Sequence, residues 1–488
     1  MTITELMPLT LLVPAVGAVF IALAGRWPNL RDGVTLVTAA GLFWTVISVL
    51  QQANSESPQS VTLIEMLPGL SIAFHAEPLS LLFAMVASGL WIVTSVYAIG
   101  YMRGAGEQHQ TRFFTCFALA LSGAMGVAFA ENLLTLFVFY EVLTLSTYPL
   151  VSHKGNENAK QGARTYLTIL LFTSIGLLLP ALIWTYAATG TLDFVPGGIL
   201  AGKLSPVAAN GLLFLFVLGV GKAAVMPVHR WLPAAMVAPT PVSALLHAVA
   251  VVKAGVFTIT KVVIYIFGTD FLAQVPLQEW LVYLAGFTVV AASAVALRQT
   301  NLKRLLAYST IGQLSYIVMA ALVLTPLSEL GAMTHIVAHA FGKITLFFTA
   351  GAIYVAAKKT EIPQLNGIGR RMPWTMTAFT LGAFSMIGVP PTGGFVSKWY
   401  MLSGAWQADN LFVLAVLVTS TGLNAAYFLP IVIRAFFRAE DQAPVKDHGE
   451  APWPMVLALG TTATLTLAFF LFHAPVVELV QVIVGAPL

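Results

Sequence analysis

Charge is what this sequence has least of. Only 9% of its 488 residues are Asp, Glu, Lys or Arg, whereas 58% are hydrophobic. Soluble domains carry about 25% charged residues. A soluble chain of this length needs far more polar surface, so the composition excludes a soluble enzyme and implies a polytopic membrane protein. Cysteine is nearly absent: Cys116 stands alone, in an apolar run. One cysteine excludes disulfides within the chain, iron–sulfur ligation and thiolate zinc sites. The net charge of +4 is too small to imply nucleic-acid binding and fits a bias in membrane orientation. A basic leader is missing as well. The stretch LTLLVPAVGAVFIALAG lacks a basic n-region and a clear cleavage motif, so it reads as a first span. The aqueous connections hold no nucleophile–base arrangement and no phosphate loop.

Long apolar runs stand in place of charge. A membrane span needs roughly 20 apolar residues. The runs predict an all-helical bundle of 14 spans, near 4–24, 33–51, 77–100, 112–130, 132–152, 163–189, 207–228, 240–267, 275–297, 302–322, 328–357, 373–405, 410–437 and 453–474. The terminal PVVELVQVIVGAPL is too short for another. Of the 24 basic residues, 18 fall in connections after odd-numbered spans and one, Lys203, after an even-numbered span. Missing a span in the middle would erase that asymmetry. By the positive-inside rule it places both termini outside the plasma membrane.

Five basic residues remain within spans: Lys222, Lys253, Lys261, Lys343 and Lys398. One acid, Glu141, is deep in a span. Lys253 sits in LLHAVAVVKAGVF (Leu245–Phe257), which is apolar apart from it and His247. A charge at such depth is expensive and usually faces a bundle interior or a wet cavity. Lys261 lies late in its span, where snorkelling to the interface competes evenly with burial.

Two spans look interrupted. Span 7 carries GVGKAAVMPVH, with glycines around Lys222 and Pro227 after it. Span 12 carries IGVPPTGGFVSKW, where Pro390, Pro391, Gly393 and Gly394 interrupt helical bonding before Lys398. Such breaks survive in a membrane only where protein or cavity water satisfies the freed backbone groups. Close helix packing is the other use for the glycines. Spans 4–8 and 9–13 are each five long, so the second unit enters with opposite topology. Lys222 and Lys398 then lie on the fourth span of each unit, the pattern of inverted repeats around a transport site. The expected organisation is an N-terminal three-span segment (1–111), a first repeat (112–270), a second, inverted repeat (271–438) and a last span with its tail (439–488).

Span 11 reads THIVAHAFGKITLFF. His335, His339 and Lys343 are four apart and stack along one helix face. Histidine titrates near neutral pH and can pass a proton between its ring nitrogens. The same spacing could hold a metal, but no carboxylate or third histidine is near in sequence. A wet polar stripe is the favoured reading, with one histidine available for a structural hydrogen bond.

Four stretches, in order, resemble one family. MPVHRWLPAAMVAPTPVSALLHAVAVVKAGVF, NLKRLLAYSTIGQLSYI, FVFYEVLTLSTYPLV and GVPPTGGFVSKWYML are similar to the antiporter-like membrane subunits of respiratory complex I, Mrp-type cation/proton antiporters and membrane-bound hydrogenases. Length, span count and the span-12 Lys look closest to the D-type Mrp subunit. The resemblance implies a pair between Glu141 and Lys222, a central Lys253, a histidine region at His335 and His339, and a terminal Lys398. His247 and Lys343 are additional candidates. Two positions depart from the family pattern: Asn301 stands where an acid often precedes KRLLAY, and Ala234 where an acid often follows WLP.

Desolvation favours neutral lysine and brings its proton affinity into the cellular range. The expected mechanism is therefore a lateral relay from Glu141 through Lys222, Lys253 and the span-11 histidines to Lys398. The resemblance further implies protons exchanged against a monovalent cation, Na+ in the Mrp case. It implies neighbouring membrane subunits in a hetero-oligomer within the bilayer. Nothing in the chain's own residues points to a flavin, haem, cluster or metal, so neither a cofactor nor a metal is expected. Two other readings stay open. One is a proton-pumping subunit of a redox-driven complex whose electron chemistry belongs to partners. The other is a structural membrane subunit, which the complete charge set disfavours.

Overall fold

The computed structural model describes residues 2–53, 60–67, 69–440 and 449–485. The first helices are α1 (Ile3–Leu23), α2 (Pro28–Ala53), α3 (Pro78–Ala105), α4 (Gln110–Ala128) and α5 (Leu133–Val151). A π-helical segment joins α6 (Glu157–Thr173) to α7 (Leu179–Thr189), and α8 (Pro206–Gly219) follows. Next come α9 (Trp231–Ala234), α10 (Thr240–Ala244), α11 (Val251–Lys261), α12 (Thr269–Leu272), α13 (Leu277–Leu297), α14 (Leu302–Leu322) and α15 (Pro326–Ala357). The chain closes with α16 (Ile368–Arg371), α17 (Pro373–Ile387), α18 (Gly393–Gln407), α19 (Leu411–Phe437), α20 (Trp453–Leu471) and α21 (Ala474–Val484). The protein is a mostly helical, multi-pass membrane protein.

Among the described residues, eleven helical stretches are long and apolar enough to cross a membrane. The three expected spans that are not among them, at 207–228, 240–267 and 373–405, are divided. α8 ends at Gly219, a short 3-10 turn carries Lys222, and Ala224 takes a positive φ. Between α10 and α11, and again after α11, the helix widens into π turns at Leu245–Val249 and Val262–Phe267. α17 stops at Gly388, whose φ of +91° suits glycine alone, and α18 restarts at Gly393. Each break frees backbone carbonyls inside the protein.

The local signals are ordinary. Asn132, Asn156, Ser205, Asn301 and Asn410 each accept a backbone N–H at a helix start. Proline opens α3, α15 and α17, where its missing donor is harmless. α14 and α15 are buried along nearly their whole length. α1 and α2 instead present Leu23, Val37 and Trp44 outward, as lipid-facing helices do.

Three features go beyond these expectations. The chain is not wholly helical: β1 (Ser60–Leu67) and β2 (Leu70–His75) form an antiparallel hairpin in the register Ser60↔His75. It is tied to the α4–α5 connection by His75 N–H to Phe129 O at 2.8 Å and Glu131 N–H to Ala73 O at 3.0 Å. Lys261 does not snorkel. Its Nζ is buried in an ion pair with Glu77 at 2.7 Å and also donates to Ala130 O at 2.9 Å. Nor is Glu141 the only acid withdrawn from solvent: Asp32, Glu77 and Glu329 are buried at helix starts. They lie too near span ends for the apolar runs to mark them as intramembrane.

Candidate proton pathway

Lys222 is wholly buried in the break after α8. Its Nζ donates to Tyr140 O at 2.8 Å and Thr144 Oγ1 at 2.6 Å, and lies over the Tyr140 ring. Its backbone N–H donates to the Tyr140 hydroxyl at 3.0 Å. Tyr140 and Thr144 are four apart on α5, so they share a face. Glu141, the next residue, is not among the groups that hold the ammonium. Its carboxylate oxygens are shielded and have no hydrogen-bond partner among the described residues, and no ion pair joins it to Lys222. The carboxylate is thus beside the lysine's cradle without being in it. Gly255, two residues beyond Lys253, packs on the same break: a Cβ there would sit 2.3 Å from Ala223 N. That close approach explains the glycine in VVKAGVF and sets α11 directly against the Lys222 turn.

Lys253 leads into the next group. Its Nζ lies 2.7 Å from His339 Nδ1 on α15, with both side chains buried. One turn away on the same helix face is His335, its ring centroid 6.0 Å from that of His339. His335 Nε2 meets Gln313 Oε1 at 3.0 Å, and Nδ1 meets Ser397 Oγ at 2.8 Å. Gln313 Nε2 faces Met386 O at 3.4 Å, which turns the amide oxygen toward the histidine. His335 therefore donates from Nε2, and in its neutral form accepts from Ser397 at Nδ1. Ser397 Oγ also faces Gly394 O at 3.3 Å. The hydroxyl can donate to a neutral His335. It can also turn to Gly394 O and accept from a charged one.

Lys398 completes the line. Its Nζ donates to Met386 O at 2.9 Å and Ile387 O at 3.0 Å, the last carbonyls of α17. A helix C-terminus carries partial negative charge and favours a cation. Tyr316 lies under the ammonium at 4.9 Å from its ring centroid and 6.0 Å from the His335 ring. A side branch runs from Lys343 Nζ to Ser309 Oγ at 2.8 Å, on to the Tyr427 hydroxyl at 3.0 Å, and to Asn424 Oδ1 at 2.5 Å. Asn424 Nδ2 returns to Met386 O at 3.2 Å.

The structure brings Lys253, His339, His335 and Lys398 into one buried array, with Lys343 on its branch. Glu141 and Lys222 lie at neighbouring positions without direct contact. The side chain of His247 lies outside the described residues. Among the described residues, no group of three or more His, Cys, Asp or Glu side chains forms a metal site. Sequence reasoning missed the neutral partners Gln313, Ser397, Ser309, Tyr316, Asn424 and Tyr427. Gln313 and Asn424 were detectable as amides in apolar text; the hydroxyls have no such mark.

Comparison with known proteins fits this architecture. Residues 130–424 match the family model described as NADH:quinone oxidoreductase/Mrp antiporter, TM, and residues 68–114 match that for the N-terminus of complex I chain 5. The chain belongs to this family. It is a proton-translocating, antiporter-like membrane subunit. It is 33% identical over 390 residues to NADH-quinone oxidoreductase subunit N of Desulforudis audaxviator, covering 79% of this chain and 77% of that one. It is also 33% identical over 397 residues to a component of a probable K(+)/H(+) antiporter of Rhizobium meliloti, covering 79% of this chain but 39% of that one. Its fold matches a chain of the Mrp complex from Dietzia sp. with a TM-score of 0.87 at 21% identity, over 99% of this chain and 97% of that one. The departure at Asn301 has a local answer within the family frame: Asn301 caps α14 and donates to Glu361 Oε1 at 2.9 Å, so an acid reaches the spot from another connection.

Proposed function

We propose that this chain is the proton-translocating subunit of an Mrp-type monovalent cation/proton antiporter, carrying protons laterally along buried lysines and histidines. The observation that carries the reading is the run of polar groups from Lys253 through His339, His335 and Gln313 to the Met386 carbonyl and Lys398. Every titratable member can bind or release a proton, and the neutral partners can reorient between the two states. Glu141 stabilises charge on Lys222 when its side chain swings into the Tyr140–Thr144 cradle. When it withdraws, a charged Lys222 repels the proton on Lys253 and drives it toward His339. The two broken segments, one containing Lys222 and one just before the helix that carries Lys398, support a paired organisation of residues 112–270 and 271–438 in opposite senses. The basic asymmetry supports 14 spans with both termini on the outer side of the plasma membrane.

The test uses the native complex in sealed vesicles with a pH-sensitive dye. Na+ or K+ added without an electron donor is expected to move protons. Movement that requires a donor and ignores the cation would overturn the antiporter reading. It would favour a redox-driven complex, to which the quinone oxidoreductase relative belongs by name. Cysteines placed at the two ends of a Cys116→Ala chain should label from one side only, the outer.

A further inference from the structure

On the face that carries the basic connections, α1, α2, α3 and α4 meet around Asn29. Three contiguous hollows share that residue. The first, about 720 Å3, is polar and lined by Arg31, Arg103, Glu107, His109 and Gln110 among others. The second, about 540 Å3, lies at Trp27, Pro28 and Leu30. The third, about 580 Å3, is an apolar groove along Phe20, Leu23, Leu30, Val34 and Val37. Trp27 stands 60% exposed where the groove meets the polar basin, as interfacial aromatic residues do.

The charges in the basin are unevenly used. Arg31 is spent internally: Nε and Nη2 bind Asp32 Oδ1 at 2.9 and 2.7 Å, and Nη2 binds Gln110 Oε1 at 2.9 Å. Arg103 uses one nitrogen, Nη2, for Asn29 and Asp32. The rest of its guanidinium makes no hydrogen bond among the described residues, and its side chain is 45% exposed. The Glu107 carboxylate also makes no hydrogen bond or ion pair among the described residues. One open basin thus offers an unpaired donor edge and an unpaired carboxylate. Asp32, which is not part of the lining, pairs with Arg31 and Arg103, and with Glu107 it matches their two charges. A purely basic pocket would select an anionic headgroup. A balanced one selects a ligand with both signs.

We propose that this corner is a binding site for a zwitterionic phospholipid with a primary ammonium, phosphatidylethanolamine. The phosphate takes the free edge of Arg103, the ammonium donates to Glu107, and one acyl chain fills the groove from Leu30 to Phe20. Arg–phosphate pairing is the strong, directional contact. The Glu107 contact sets the headgroup, because a quaternary choline has no N–H to give.

The experiment measures lipid retained by the full-length protein, by native mass spectrometry after exchange into nanodiscs. Three discs are compared, with phosphatidylethanolamine, phosphatidylcholine or phosphatidylglycerol on identical acyl chains. Phosphatidylethanolamine should be retained about ten-fold more than either, the size of one charge-assisted hydrogen bond. Glu107→Gln should bring it down to the phosphatidylcholine level, and Arg103→Gln should weaken all three. Thermal midpoints of the two variants identify any loss of fold. Equal retention of the three lipids would overturn the proposal and leave only annular lipid. Preference for phosphatidylglycerol, lost only with Arg103→Gln, would show an anion site instead. A partner subunit cross-linking into the basin of the native complex would equally overturn it.

Discussion

The ammonium nitrogen of Lys253 lies 2.7 Å from Nδ1 of His339, and the two residues come from different helices, α11 and α15. That contact links a buried titratable group in the half of the chain holding Lys222 to one in the half holding Lys398. A lysine can give a proton to an imidazole at that distance without an intervening water. Lys253→Met should therefore lower proton flux about 100-fold, the size of a lost proton-transfer group. His339→Gln should do much the same, and the double variant should lose little more, because both act in one step. Undiminished flux in Lys253→Met at matched assembly removes the relay.

Lys398 separates a proton carrier from a fixed cation. The neighbouring carbonyls of Met386 and Ile387 would accept a guanidinium as readily as an ammonium. A guanidinium, however, stays protonated. Lys398→Arg and Lys398→Ala are both expected to assemble and to transport poorly, by about ten-fold or more. Near-normal flux with Arg would show that positive charge alone suffices there.

Glu141→Gln should impair transport more than Glu131→Gln. The Glu141 oxygens are shielded and unpartnered among the described residues, whereas Glu131 belongs to a connection. In the proposed relay, removing the charge from Glu141 takes away the group assigned to steady Lys222. Equal loss in two equally assembled variants would dissolve the assigned pair.

The Glu77–Lys261 contact makes a prediction about stability instead of flux. Its side chains are 10% and 2% exposed. Breaking one partner of a buried pair costs about 3–5 kcal/mol because the other charge is left in the protein. Glu77→Gln and Lys261→Met should each lower the melting temperature in detergent. The double variant should melt closer to the native protein than either single one; simple additivity would refute a paired interaction.

Glu440 supplies a pH dependence. Partial burial works against its charge, but hydrogen bonds from Lys359 and Arg371 outweigh that and hold its carboxyl below the ordinary range. A depressed carboxyl stabilises the fold above its unfolded pKa, near 4.3, and loses that contribution as pH falls through the folded value. The pairs are partly exposed, so the effect is under about 1 kcal/mol. Melting curves from pH 7 to 3 should show a small acid-side loss that Glu440→Gln lacks; identical curves would show that the clamp contributes nothing.

Much of this was legible in advance because membrane insertion imposes a simple text. Hydrophobic runs marked the helices, and the prolines and glycines around Lys222 and Lys398 marked the breaks. The spacing of His335 and His339 marked their shared face. The partners were harder to read. Ser397, Ser309 and Thr144 belong to residue types that commonly bond their own helix, as Thr144 does to Tyr140 O at 3.0 Å, so their presence alone signals nothing. Long-range juxtaposition, such as Glu77 with Lys261, has no local pattern at all. The hairpin escaped notice because it lies between two long apolar runs and its alternation is short.

The atoms that hold Lys398 belong to the main chain of residues 386 and 387, not to their side chains. Substitution can alter either side chain and leave the two oxygens where they are. The site is thus written in the shape of an interrupted helix, and a search scoring residue identity at 386 and 387 would pass over it. What descent has to preserve there is the interruption: the stop at Gly388, the proline pair and the restart at Gly393. A redesign that straightened α17 into α18 would keep every neighbouring side chain and still erase the cradle.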